Sequence, residues 1–151
     1  MAYLAETFPK PLIHILSSDF LRAVETAQCL IEVLGGCEGG IVLKENLRER
    51  DFDPFDMKSN TYYDGIWAKD LTDSPEKGVE SCDSVRDRCL ETIREFERQE
   101  ISHPRVVLLV GHGDNCQHIE TFFHPGMEAR YQRLKIQNVE NAEWREMRVS
   151  G

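Results

Sequence analysis

The sequence lacks any apolar run near the roughly 18 residues that a membrane-spanning helix needs; a run such as Val106 to Val110 stops after five. Its opening, MAYLAETFPK, lacks the charged leader and long apolar stretch of a secretory signal. Positive charge is in deficit, with 18 Lys and Arg against 27 Asp and Glu and a formal net charge of −9. No Lys/Arg cluster offsets that balance, so no basic face is available to track nucleic-acid phosphates. The five cysteines, Cys29, Cys37, Cys82, Cys89 and Cys116, are odd in number and form no CxxC pair. Free thiols in a reducing compartment follow, rather than disulfides or a zinc site. HExxH spacing and a carboxylate cluster are both missing, so neither metal nor other cofactor is expected. A cytoplasmic protein with no membrane or nucleic-acid partner is the expectation, and low-complexity tracts are absent.

What is present suits one domain spanning residues 1–151, long enough to bury roughly 68–70% of its unfolded surface. Two segments share an organisation. In PLIHILSSDFLRAVETAQCLIEVLGG, the apolar residues Leu12, Ile13, Ile15 and Leu16 meet Ser17 and Ser18. Phe20, Val24, Ala27, Ile31 and Leu34 then follow steps of three and four along one helix face, with Ser18 as the expected N-cap and Gly35-Gly36 as the stop. In RVVLLVGHGDNCQHIETFFHPG, Val106 to Val110 meet Gly111-His112-Gly113, and Cys116, Ile119 and Phe123 continue with a helical period until Pro125-Gly126. Each unit reads strand, short polar turn, helix.

Such alternation predicts an α/β fold: three layers, with a mostly parallel sheet flanked by helices. Ligands bind beyond the carboxyl ends of such strands, which would gather Ser17, Ser18, Arg22 and His112 at one edge. Between the units, a strand is expected near Ile41 to Leu43, followed by a charged loop. Met57 to Lys77 lacks a convincing period and reads as a loop or lid with weak helical content near Ile66 to Leu71. There Tyr62, Tyr63 and Trp67 either cover the core or meet a ligand. The stretch VESCDSVRDRCLETIREFERQ puts Cys82, Val85, Cys89, Ile93 and Phe96 on one face behind a Ser81 N-cap, which makes both cysteines core residues. The tail AEWREMRV alternates as a final strand would.

Two features carry chemistry. Glycines flanking His112 permit tight or positive-φ backbone and close approach of a ligand, while the following helix aims its amides at an anion. A sharp strand-to-helix turn would use the same glycines. Arg22 stands in the first turn of its helix, where the macrodipole disfavours a cation by up to about 1 kcal/mol. Either Asp19 or a bound anion gripped by the planar guanidinium compensates it.

Together these residues resemble the histidine phosphatase superfamily, the phosphoglycerate mutase-like proteins. SSDFLRAVETA is similar to the family's serine-rich strand end and RAxxTA helix, LRERDF to its acid-bearing segment, and GVES to the start of a following helix. VVLLVGHGD is similar to the second-histidine strand and NVENAEWREM to the closing strand. The likeness runs from the first residues, which resemble the end of a first helix, to about Met147. It implies that Arg22 holds a phosphoryl group, that His112 contacts its oxygens beside Gly113, and that Glu49 protonates the leaving oxygen, with Glu80 as the other candidate acid. Asp53 stands where many relatives have glycine.

One departure weighs against turnover. The family's nucleophile is the histidine of an Arg-His-Gly motif, and none of His14, His103, His112, His118 or His124 follows an arginine. His14 lies within an apolar run as a core or surface residue, and His118 and His124 are expected at the surface. Binding groups and an acid without a nucleophile give negligible covalent transfer. The family resemblance puts the missing strand inside the sheet, between the strands at Ile13 to Leu16 and Val106 to Val110, and a strand with its crossover takes roughly 30 residues or more. The expectation is therefore a phosphoglycerate mutase-like domain shortened at its N-terminus, with unpaired or rearranged strand edges through which a homodimer could form. Three functions stay open: a phosphatase acting on a phosphorylated small molecule, a non-catalytic phosphate-binding pseudoenzyme, and a protein-interaction module.

Overall fold

Both strand-turn-helix units form. The computed structural model describes residues 13–37, 39–55, 60–72, 76–99, 106–141 and 143–147. Strand β1 (Ile13–Ser17) leads to helix α1 (Leu21–Leu34), and β2 (Ile41–Leu43) leads to a short 3-10 turn at Glu45–Leu47. Helices α2 (Asn60–Asp70) and α3 (Cys82–Glu97) precede β3 (Val106–Val110) and α4 (Gly113–Phe122). A second 3-10 turn at Ala129–Tyr131 runs into the one-turn helix α5 (Gln132–Lys135). The three strands form one parallel sheet in the order β2-β1-β3.

The chain divides into two compact units, one of Met1–Arg48 and Glu91–His112, the other of Glu49–Leu90 and Gly113–Gly151. In the first, β-branched and aliphatic residues of the strands pack on α1. Ile13, Ile15, Ala23, Ala27, Leu34 and Val110 are buried together, with Leu30, Ile31, Cys37, Ile41 and Leu108 against them. Each fully buried aliphatic side chain contributes roughly 1.5–3 kcal/mol. Helix α1 ends as its two glycines require: Gly35 is left-handed (φ 66°) and Gly36 has φ 113°. Their N–H groups donate to Glu32 O and Ile31 O, which closes a Schellman motif.

Strands β1 and β3 pair directly over five residues, from Ile13 against Val106 to Ser17 against Val110, the rearranged pairing among the expected outcomes, and Ser18 N–H extends the ladder to Val110 O at 2.8 Å. Several other expectations need correction. Ser18 is not a helix cap. Phe20 holds the N-cap position without a side-chain bond, and its ring is exposed rather than part of the buried stripe. The weak helical content expected near Ile66 to Leu71 is part of a longer helix, Asn60–Asp70, which begins where a loop was expected. The tail is not a strand between residues 137 and 147 among the described residues, and Trp144 is half exposed. The first residues and His103 lie outside the described residues.

In the second unit, Ser81 Oγ accepts the Ser84 N–H at 3.2 Å, and α3 buries Cys82, Val85 and Cys89 as its spacing predicts. Burial pushes the thiols of Cys82 and Cys89 up to about 12, which leaves them inert. Helix α4 departs from its apolar reading, because its buried face is mostly polar: Asp114, Asn115, Gln117, His118 and Thr121 beside Ile119. His118, expected at the surface, is fully buried, whereas His124 is exposed. Spacing along a helix shows which residues share a face, and here that buried face is polar.

Candidate phosphate site

The parallel pairing of β1 and β3 brings two carboxyl ends side by side, and each ends in polar residues. Ser18 follows β1 and is fully buried. His112 follows β3 by one glycine and is 5% exposed. Arg22 reaches them from the second residue of α1. Its Nε and Nη2 lie 3.1 and 2.9 Å from His112 Nδ1. A guanidinium only donates, so Nδ1 must be the acceptor, and a neutral ring then carries its hydrogen on Nε2. That nitrogen lies 3.0 Å from Ser18 Oγ, which therefore accepts from it. Ser18 Oγ also accepts the Phe20 N–H at 3.3 Å. Arg22, His112 and Ser18 thus form one continuous chain of hydrogen bonds within the first unit.

Around this chain lies a charged rim. Asp19 does not compensate Arg22; it takes Arg48 instead, whose Nε donates to both carboxylate oxygens at 2.8 and 3.1 Å. The Arg48 hydrogen bonds hold the Asp19 carboxyl below its ordinary range. Arg48 also lies 3.1 Å from Glu45. Phe20 lies near both cations, with its ring 5.4 Å from that of His112 in an edge arrangement. The Arg22 and Arg48 guanidinium carbons lie 5.3 and 5.9 Å from its centroid.

The two glycines serve the sharp strand-to-helix turn, not a positive-φ backbone. Neither Gly111 nor Gly113 has a positive φ; an added Cβ would meet Leu47 O or Val139 O at 3.6 Å, an ordinary contact. Gly113 opens α4 in the second unit. Glu49 belongs to that unit too; its Oε1 accepts the Arg50 N–H at 3.3 Å and its carbonyl accepts from Arg88 Nη2 at 3.3 Å. Glu80 is differently placed. It receives Arg88 Nε at 2.8 Å, Arg88 Nη2 at 3.0 Å, Ser84 Oγ at 2.9 Å and Asp51 N at 3.2 Å. Burial alone would raise this carboxyl, but the Arg88 hydrogen bonds and charge outweigh it and the group ends below its ordinary range. A carboxylate held by four donors is a poor source of a proton.

Sequence reasoning missed a buried polar cluster in the second unit. Arg50 grips Asp70 with two bonds of 2.7 and 2.8 Å, and its Nε donates to Glu80 O. Asp114 Oδ2 lies 3.3 Å from His118 Nε2, within ion-pair range but without hydrogen-bond geometry. Arg133 reaches Asp114 Oδ1 at 3.2 Å and sets its guanidinium carbon 3.4 Å from the Trp67 ring centroid. Trp67 in turn stacks on Tyr63, which meets Phe52 edge-on, while Tyr62 stays half exposed. The charged run Arg48 to Asp51 was the only local signal, and nothing in it marked which charges are buried.

Among the described residues, no helix is long and apolar enough to cross a membrane and no cluster of His, Cys, Asp and Glu could hold a metal ion. The family model for the histidine phosphatase superfamily, branch 1, matches residues 1–150. Similar solved structures include a mycobacterial hydrolase, at 24% identity and a TM-score of 0.70 over 91% of this chain and 66% of that one. Mycobacterial glucosyl-3-phosphoglycerate phosphatase matches at 24% identity and 0.69, covering 91% and 69%. YhfR of Bacillus stearothermophilus matches at 23% and 0.66, covering 85% and 65%. The chain therefore spans about two thirds of the length of these proteins, and at such identities the likeness shows the α/β fold. No curated protein matches it in sequence.

Proposed function

The chain belongs to the histidine phosphatase superfamily, branch 1, and from that premise we propose that it binds phosphomonoesters through Arg22, His112 and Gly113, with Glu49 as the acid for a leaving oxygen. The observation that carries this reading is the convergence of Arg22 and His112 to 2.9 Å at the ends of two paired strands. An anion displaces His112 Nδ1 from the Arg22 N–H groups, and a proton taken up from solvent at Nδ1 lets the ring donate to an anion oxygen while Nε2–H stays on Ser18. A hydrogen bond between charged partners contributes about 1.5–3 kcal/mol against 0.5–1.5 for an ordinary one. Glu80 is set aside as the acid, because Arg88 keeps it ionised.

Binding without covalent turnover is the proposed behaviour of these 151 residues. No Arg-His-Gly is present, and His14, the histidine of β1, packs edge-on against Phe96 at 4.8 Å. His112 serves as an oxygen contact and cannot attack the same phosphorus. Five cysteines outside any disulfide support a cytoplasmic setting.

Two measurements test this. Calorimetric titration with phosphate or vanadate should give saturable binding that weakens about 10- to 150-fold in Arg22→Ala, the range for losing a charge-assisted contact. Hydrolysis of para-nitrophenyl phosphate at mildly acidic pH should match the His112→Ala background. Undiminished phosphate affinity in Arg22→Ala would overturn the binding reading, and hydrolysis well above that background would overturn the absence of turnover.

A further inference from the structure

We propose that Phe20 determines specificity at this site, with its exposed ring as the wall against which the alcohol part of a bound phosphomonoester lies, so that aryl phosphates are selected over alkyl phosphates. The inference rests on the phosphate reading of Arg22 and His112.

Neither helix capping nor core packing accounts for this side chain. The N-cap position of a helix favours Ser, Thr, Asp or Asn; here a phenylalanine occupies it and makes no capping bond. Helix α1 buries Ala23, Ala27 and Leu34 without its help, and the Phe20 ring remains 37% exposed. What the ring does touch is the site itself. It meets the His112 ring edge-on and lies within 5.3 Å of the Arg22 guanidinium carbon. A group joined through one oxygen to a phosphoryl held on Arg22 therefore meets Phe20 nearby.

Charge decides which group that is. The other cation near the ring, Arg48, looks like a second anion anchor, but Asp19 and Glu45 already face it. A second phosphate or carboxylate on the ligand would approach those two carboxylates and be repelled. A flat apolar ring suffers no such repulsion. It gains an aromatic contact with Phe20 and lies beside guanidinium planes that attract π faces.

The test compares phenylphosphonate with methylphosphonate, both stable to hydrolysis, by calorimetry on the full chain. The readout is the ratio of their affinities. Phenylphosphonate should bind about 2- to 12-fold tighter, the fold-change expected of one aromatic pair. In Phe20→Ala the ratio should fall to about one, and Phe20→Leu, which keeps apolar bulk, should fall between. A peptide carrying phosphonomethylphenylalanine separates the two sources of an aryl phosphate: tighter binding than phenylphosphonate assigns a phosphotyrosine side chain, and equal or weaker binding assigns a small molecule. A wild-type ratio near one, or a ratio that Phe20→Ala leaves intact, overturns the proposal. So does equal weakening of both ligands in Phe20→Ala, which would reduce Phe20 to a support for His112. Binding of both ligands that Arg22→Ala leaves undiminished is a different failure, that of the phosphate reading beneath.

Discussion

Ser18 holds the imidazole of His112 in the orientation that Arg22 requires. Its hydroxyl oxygen is the acceptor for Nε2–H, buried at the end of β1. Removing it strands a buried donor, a loss of about 1–3 kcal/mol. Ser18→Ala should therefore lower the urea midpoint and also weaken phosphate binding, because a ring without its tether no longer presents Nδ1 to one place. Unchanged phosphate affinity in a destabilised Ser18→Ala would show that the tether is structural alone. The sequence made Arg22 and His112 visible because each stands just past an apolar strand, where polar residues need a reason. It placed Ser18 at the same edge but read it as a helix cap, since helix boundaries read from pattern shift by one or two residues. That same shift turned Phe20 from a rim residue into a supposed core residue.

Helices with apolar stripes were legible; the one held by charge showed only as weak helical content near Ile66 to Leu71. In α2, Ile66 is the buried apolar residue, and Asp70 anchors the C-terminal end by its double bond to Arg50. Periodicity cannot register an element fastened through an ion pair whose partner lies twenty residues away. Removing one partner of a buried pair leaves an uncompensated charge, at about 3–5 kcal/mol. Asp70→Leu alone should accordingly lose about that much in denaturant titration, while Arg50→Met with Asp70→Leu should recover a good part of it. A double variant no more stable than the single one would contradict this account. At the other end of α1, Gly35 is left-handed, so Gly35→Ala should lose about 1–2 kcal/mol. Replacing the well-formed cap in Ser81→Ala should lose about 1 kcal/mol.

Across the whole molecule, the excess of acid over base that argued against nucleic acid also sets how the fold responds to pH. Glu80 and Asp114 are held below the ordinary carboxylate range: burial works to raise both, and Arg88 for the first, His118 with Arg50 and Arg133 for the second, pull them down. A carboxyl lowered on folding adds stability that is fully present above its unfolded value and is lost as pH falls through the folded one. The loss therefore begins near pH 4–5 and deepens toward about pH 3. Exposed carboxyls behave likewise but weakly: Asp19 through Arg48 and Glu95 through Lys44 are also lowered, yet salt screens such surface pairs. Urea midpoints measured in high salt should still fall from about pH 5 to about pH 3, since the buried pairs persist there. In Glu80→Gln the midpoint at neutral pH should be lower and the slope below pH 5 shallower, because one lowered group is gone. An unaltered slope in that variant would mean that the acid response belongs to other carboxyls, Asp114 among them, and that Arg88 does not hold Glu80 ionised as its four hydrogen bonds imply.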